Sequence, residues 1–131
     1  YENIKFILIA PKELRVPEYI ISEVLEAKNI PYEEVESMED VMGELDVLYM
    51  TRVQQERFSD PMEYEKVKNV YRLTADMLTN ARPNMKILHP LPRITEIAQD
   101  VDETPYAYYF KQAENGMYVR MAIIAYLLGY R

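Results

Sequence analysis

The chain has 131 residues, the length of one domain, and a core of that size buries roughly two-thirds of the unfolded chain's surface. Its 15 Lys and Arg against 22 Asp and Glu leave a net charge of −7, which argues against nucleic acid as a partner because phosphate-binding surfaces are basic. With no Cys there are no disulfides, thiolate catalysis or zinc ribbons, the single His rules out His-rich metal clusters and leaves little room for a Ser-His-Asp triad, and the isolated Gly43, Gly116 and Gly129 form no phosphate loop. No apolar run approaches the roughly 20 residues of a membrane span, and no signal peptide precedes the first strand-like segment. The expectation is a soluble, cytoplasmic domain that starts directly on a strand.

Ile4 to Ala10 is a short apolar run bounded by Pro11 and reads as a strand buried on both faces. Pro17 suits a first helical turn, and Ile20, Ile21, Val24, Leu25 and Lys28 follow at helical spacing, with Glu18 near the positive end of the dipole. An extended segment from Tyr32 to Glu36 points Tyr32 and Val35 inward. Ser37 to Asp40 resembles a capping box with Asp in place of Glu or Gln, opening a short helix through Gly43 and Glu44. Val47 to Met50 reads as a second buried strand ending at Thr51.

Asp60-Pro61 is a helix start, carried on by Tyr64, Val67 and Lys68 to about Asn69. Val70 to Thr74 is a weaker strand, followed by a short helix to Ala81. Met85 to His89 is another apolar strand, stopped by Pro90 and Pro92. After an irregular acidic stretch, Tyr106 to Glu114 is amphipathic, and a longer helix, apolar on most of its surface, runs from about Gly116 to Leu128. Strands alternating with helices predict one α/β domain, a three-layer α-β-α arrangement with a mostly parallel sheet.

In an open parallel sheet, ligands bind beyond the carboxyl ends of the strands. Two such ends are rich in polar groups: Thr51 to Arg57 after one strand, His89 to Arg93 after another. Arg52 and Gln54 are two apart and share a side if the segment is extended, and an Arg fork beside an amide suits a carboxylate or phosphate oxygen. Glu56 can orient Arg52 if the segment turns helical; a solvated, salt-bridged loop is the plainer reading. In His89-Pro-Leu-Pro-Arg93 two prolines fix the backbone, and rigid outward carbonyls are good acceptors for a ligand's N–H groups, with Arg93 adding positive charge at the rim. A proline-rich turn accounts for the same residues. A lone His at a strand end is more often a hydrogen-bonded structural residue than a general base. Asp100, Asp102 and Glu103 lack metal-loop spacing and read as a solvated acidic loop. Arg120, inside an apolar helix, marks either a buried ion pair or a surface meant for another domain.

Thr51-Arg-Val-Gln-Gln-Glu-Arg57, His89-Pro-Leu-Pro-Arg93 and Asn115-Gly-Met-Tyr-Val-Arg120 occur in this order and spacing, with Phe6 to Pro11 and Asp46 to Met50 in register. Together they resemble the carboxy-terminal, aspartate-binding domain of aspartate carbamoyltransferase catalytic chains, over essentially the whole sequence. The resemblance implies transfer of a carbamoyl group from carbamoyl phosphate to L-aspartate in pyrimidine synthesis, with no metal or organic cofactor. It gives Arg52 the aspartate side-chain carboxylate, with Gln54 and Glu56 in support, and gives the carbonyls of Pro90 and Leu91 the attacking amino group and the carbamoyl amide. Arg57 would bridge to the other domain on closure, Glu63 and Tyr64 would belong to a mobile loop, and Arg93 would support the loop it ends. Arg120 would lie on the helix, about residues 115–131, that packs back on the carbamoyl-phosphate domain.

Family members form catalytic trimers, some with zinc-containing regulatory chains. This chain has Thr95 where the family often has an acidic residue, which leaves one pairing of Tyr64 open. It also lacks the Ser-Thr-Arg-Thr phosphate-binding stretch, the catalytic His of the family's other half and a second aspartate-binding Arg, so the piece is expected to be inactive alone. Two alternatives remain open. One is a catalytically silent α/β module used for assembly or ligand binding. The other is a carbamoyltransferase for another amino acid such as ornithine, which Arg52 and Gln54 disfavour because they suit a second carboxylate.

Overall fold

The structure is a computed structural model that describes residues 3–53, 58, 60, 62, 64, 65 and 71–130. It forms two compact units, Tyr1–Val41 and Met42–Arg131, each built around its own pair of parallel strands.

In the first unit β1 (Phe6–Ile9) pairs in parallel with β2 (Tyr32–Val35), Phe6 opposite Tyr32 and Ile9 opposite Val35. The crossover is helical: α1 (Glu18–Ile20) follows Pro17, which sits at the cap, and runs into wider turns over Ile21–Glu26. There Ala27 N–H reaches back five residues to the Ser22 carbonyl at 3.1 Å. Ile21 and Leu25, one turn apart, are buried, as their spacing predicts. Tyr32 and Val35 are the more covered residues of β2, while Glu33 and Glu34 face solvent. β1 departs from expectation, because Phe6 is 43% exposed and the strand is not buried on both faces. A two-stranded ribbon with one crossover segment supplies too little material to cover both. The Ser37 cap is made, its Oγ accepting from Asp40 N–H at 3.3 Å ahead of a 3₁₀ segment, Glu39–Glu44.

In the second unit β3 (Val47–Tyr49) pairs in parallel with β4 (Lys86–Leu88), Leu48 opposite Ile87. β3 is buried on one face only: Leu48 and Met50 are inside, whereas Val47 and Tyr49 are 52% and 56% exposed. This strand alternates, as a sheet with one covered face requires, where its sequence reads as a continuous apolar run. The expected strand at 70–74 reduces, within the described residues, to a single parallel bridge between Leu73 and Ile97. A 3₁₀ turn, Asp76–Asn80, brings Leu78 inside, and the acidic stretch is not irregular but another such turn, Gln99–Glu103, with Val101 buried.

Tyr109–Leu127 is one continuous helix, α2, without the expected break before Gly116. Its start is tied to β4 by Ile87 N–H to the Tyr106 carbonyl (2.8 Å) and Tyr108 N–H to the Ile87 carbonyl (3.1 Å). Leu73, Met85, Ile87, Val101 and Tyr109 are fully buried and make the centre of this unit's core. The far half of α2 is different, with Tyr118, Met121, Ile124, Tyr126 and Leu127 all exposed. Among the described residues, no helix is long and apolar enough to cross a membrane.

Candidate functional site

Because β3 and β4 are parallel neighbours, both end at one edge of their sheet, and Met50 N–H extends the ladder to the Leu88 carbonyl at 2.9 Å. Residues 51–53 and 89–93 therefore leave that edge together, which is the flanking arrangement expected of a ligand crevice.

His89 sits beneath the second loop, 2% exposed. Its backbone N–H donates to Gln112 Oε1 on α2 at 2.9 Å, and its ring is held at both nitrogens. Leu91 N–H donates to Nδ1 at 2.8 Å, and Nε2 lies 2.8 Å from Glu96 Oε1. Since Nδ1 accepts, the network assigns the proton to Nε2, which donates to the carboxylate. Glu96, 5% exposed, turns its other oxygen to the N–H groups of Ile94 and Thr95, both at 3.0 Å. Burial pushes the Glu96 carboxyl up, but hydrogen bonds from its own backbone, Ile94, His89 and Thr95 outweigh it and hold the group below its ordinary value.

Above this anchor Leu91 adopts φ 51° and the Leu91–Pro92 bond is cis, while Pro90 and Pro92 are exposed. Among the described residues no hydrogen bond is made to the carbonyl oxygens of Pro90 or Leu91. The loop thus presents acceptors on a backbone fixed from below.

Arg93 turns inward. Its guanidinium forks onto both oxygens of Asp102, and Nη1 also donates to Tyr109 Oη at 3.1 Å while that hydroxyl donates to Asp102. The guanidinium carbon lies 5.5 Å from the Tyr109 ring centroid and 5.9 Å from that of Phe110. Asp102 is therefore an anchor rather than part of a solvated acidic loop. The hydrogen bonds from Arg93 hold the Asp102 carboxyl below its usual range and, reciprocally, Asp102 raises Arg93. Burial, then the bond to Asp102, pushes the Tyr109 phenol up to about 12.

Arg52 is exposed on the neighbouring loop. Gln54, Glu56, Arg57 and Glu63 lie outside the described residues. Asp60 caps as expected, Oδ1 accepting from Met62 N–H at 2.8 Å, and the Tyr64 ring lies 5.8 Å from that of Phe58. Arg120 is exposed on the far half of α2, so it is not half of a buried ion pair. Sequence reasoning missed Glu96, Asp102, Tyr109 and Gln112 as partners of the loop. Their spacings from His89 and Arg93 form no motif; the one usable signal was that a buried His and a half-buried Arg each need a partner. Among the described residues no group of three or more His, Asp or Glu is placed to hold a metal ion.

A parallel α/β unit with a rigid acceptor loop at the carboxyl ends of its strands defines a small-ligand-binding domain of the open-sheet class. The family model for the aspartate/ornithine carbamoyltransferase Asp/Orn-binding domain matches residues 2–127, and the chain belongs to that family. It is 56% identical over 129 residues to the aspartate carbamoyltransferase catalytic subunit of Clostridium perfringens strain SM101, covering 98% of this chain and 42% of that subunit. The catalytic subunit of M. jannaschii aspartate transcarbamoylase superposes with a TM-score of 0.88 at 48% identity, covering 98% of this chain and 41% of that one. A Trypanosoma cruzi aspartate transcarbamoylase solved with carbamoyl phosphate and aspartate superposes with a TM-score of 0.81 at 32% identity, covering 92% and 40%. The chain spans less than half the length of the curated relatives it matches.

Proposed function

We propose that this chain is the amino-acid-binding part of an aspartate carbamoyltransferase, acting in pyrimidine synthesis in the cytoplasm. The observation that carries the reading is the loop at the end of β4: two carbonyls that accept no hydrogen bond among the described residues, on a backbone held by His89 and Glu96, in a member of this family. Aspartate is favoured over ornithine because the relatives at 53–56% identity are named for aspartate, and because Arg52 supplies a cation beside the loop for a second carboxylate.

On this reading Arg52 clamps the side-chain carboxylate, helped by Gln54 and Glu56, while the Pro90 and Leu91 carbonyls accept from the attacking amine and the carbamoyl amide. The amine nitrogen bonds to the carbamoyl carbon, the carbon–oxygen bond to phosphate breaks, phosphate leaves and the amine gives up a proton. The chain's own contribution is orientation, which can supply several kcal/mol, about 7–11 at the upper end. Phosphate binding and proton transfer fall to the carbamoyl-phosphate domain. The exposed apolar half of α2, with Arg120, is proposed to pack on that domain, since such a patch in a chain shorter than its relatives marks a missing partner. Arg57, Glu63 and Tyr64 are proposed to act in domain closure, with catalytic trimers, and regulatory chains in some assemblies, as the partners.

Steady-state kinetics of the complete chain test this. Arg52→Ala should raise the KM for aspartate by about a hundredfold, the loss of a charge-assisted bidentate contact. L-ornithine should not be carbamoylated, and the 131 residues alone should show no turnover. Turnover of ornithine in preference to aspartate would overturn the substrate assignment.

A further inference from the structure

His89 and Glu96 are the buried polar or charged side chains of the described residues, and the proposed chemistry uses neither. An apolar pair would fill the same space without the desolvation penalty that a carboxylate incurs. What distinguishes them is where the ring's second nitrogen points. Leu91 sits in the left-handed region at φ 51°, a conformation that costs a residue with a Cβ about 1 kcal/mol or more. Leu91 N–H donates to His89 Nδ1 at 2.8 Å, a side-chain bond spanning two residues that fixes the plane of the Pro90–Leu91 peptide and with it the direction of the Pro90 carbonyl. The ring is steadied from its other end by Glu96 Oε1, and Glu96 is fixed in turn: its carbonyl accepts from Leu73 N–H at 2.9 Å beside the Leu73–Ile97 bridge.

We infer that His89 is a positioning residue for the amino-acid substrate, its Nδ1 setting the Pro90–Leu91 peptide plane so that the Pro90 carbonyl faces the incoming amine beside that of Leu91, with Glu96 holding the ring in the required tautomer. The inference rests on the proposed role of those carbonyls. It separates the two ring nitrogens by task. Nε2 serves stability through Glu96; Nδ1 serves binding through Leu91.

Two substitutions in the complete chain separate these tasks. In His89→Asn the side-chain oxygen stands where Nδ1 does and keeps the Leu91 bond while losing Glu96. In His89→Gln the side-chain nitrogen stands where Nε2 does and keeps Glu96 while leaving Leu91 N–H unpaired. Each breaks one buried hydrogen bond, so thermal midpoints should fall by similar amounts. The KM for aspartate should diverge: within about threefold of the unsubstituted enzyme for His89→Asn, and about tenfold or more higher for His89→Gln, the effect of one lost backbone anchor. Equal KM values in the two variants, or values that follow their thermal midpoints, would reduce His89 to a core residue and overturn the inference. If His89→Gln cannot be recovered folded, His89→Asn decides alone, a KM near that of the parent supporting the inference and a tenfold rise overturning it. Absence of aspartate turnover in the unsubstituted complete chain would instead overturn the proposed function, so the two failures are told apart.

Discussion

The Arg93, Asp102 and Tyr109 cluster gives the most direct test of how the loop is anchored. Asp102→Ala removes the acceptor of two guanidinium bonds and one phenol bond at once. Charge-assisted bonds contribute about 1.5–3 kcal/mol each, and breaking a fully buried pair costs about 3–5 kcal/mol. The Arg93 and Asp102 side chains retain 17% and 24% of their exposure, so water recovers part of that loss. The expected cost is about 2 kcal/mol, between the buried and the surface cases. Tyr109→Phe, which removes only the hydroxyl, should cost about 1 kcal/mol. Because the hydroxyl donates to Asp102, the double substitution should fall short of the sum by about 0.5–1 kcal/mol. Urea midpoints of the complete chain, followed by far-ultraviolet circular dichroism and scaled by the common slope, measure all three. A cost below about 0.5 kcal/mol for Asp102→Ala, with additivity in the double variant, is what a solvated surface pair would give and would refute this account of the anchor.

Acid should undo the same loop. Asp102 and Glu96 have folded-state values below 3.8 and 4.5, so their stabilisation is full above those values and is lost as pH falls through the lower folded ones. Urea midpoints should therefore begin to drop below about pH 4.5, and Asp102→Ala should drop less steeply than the parent. At the alkaline end the sign reverses: Tyr109 is raised from 10.0 to about 12, so its neutral form contributes fully below pH 10.0 and loses that contribution as pH climbs toward 12. Tyr109→Phe should abolish that alkaline loss in thermal midpoints. In the core, Met85→Ala should cost about 2–5 kcal/mol by urea unfolding, since Met85 is fully buried. At the end of α2, Gly129 has φ 82° and closes the helix with Tyr130 N–H to the Ala125 carbonyl and its own N–H to Tyr126, both 3.0 Å. Gly129→Ala should cost about 1 kcal/mol in the same assay, against near-neutrality for a substitution at an ordinary φ.

Elements whose signal is local were legible in the sequence. β2, β4, the Ser37 cap and the crossover with Ile21 and Leu25 inside follow from alternation, capping and helical spacing, which the chain carries within a few residues. Burial on both faces of β1 and β3 was not legible, because apolar runs like Ile7-Leu-Ile9 and Val47-Leu-Tyr49 read alike whether one face or two are covered. The supposed break before Gly116 failed for a related reason: glycine lowers helix propensity by about 1 kcal/mol, which the surrounding turns of α2 override. At the site, Pro90, Pro92 and His89 stood out by residue type. Glu96 and Asp102 did not, because a carboxylate facing inward and one facing water are the same letter in an acidic chain.

That ambiguity bears on how the proposed site draws in its substrate. Aspartate is an anion, and the chain carries a net charge of −7, so attraction must come from a local concentration of cations. Arg93 stands at the loop, yet its charge is met by both oxygens of Asp102, and a compensated guanidinium contributes a rigid backbone rather than an attractive field. The loop's own acceptors, two carbonyls, favour the amino end of the substrate and repel its carboxylates. On the proposed reading binding divides by chemistry: residues 89–93 would orient the nucleophile, and the carboxylates would fall to Arg52 on the neighbouring loop and to the rest of the complete enzyme. A site split in this way would hold its substrate only when every part is present, so the proposed function predicts that aspartate binds the complete enzyme and not the 131 residues alone.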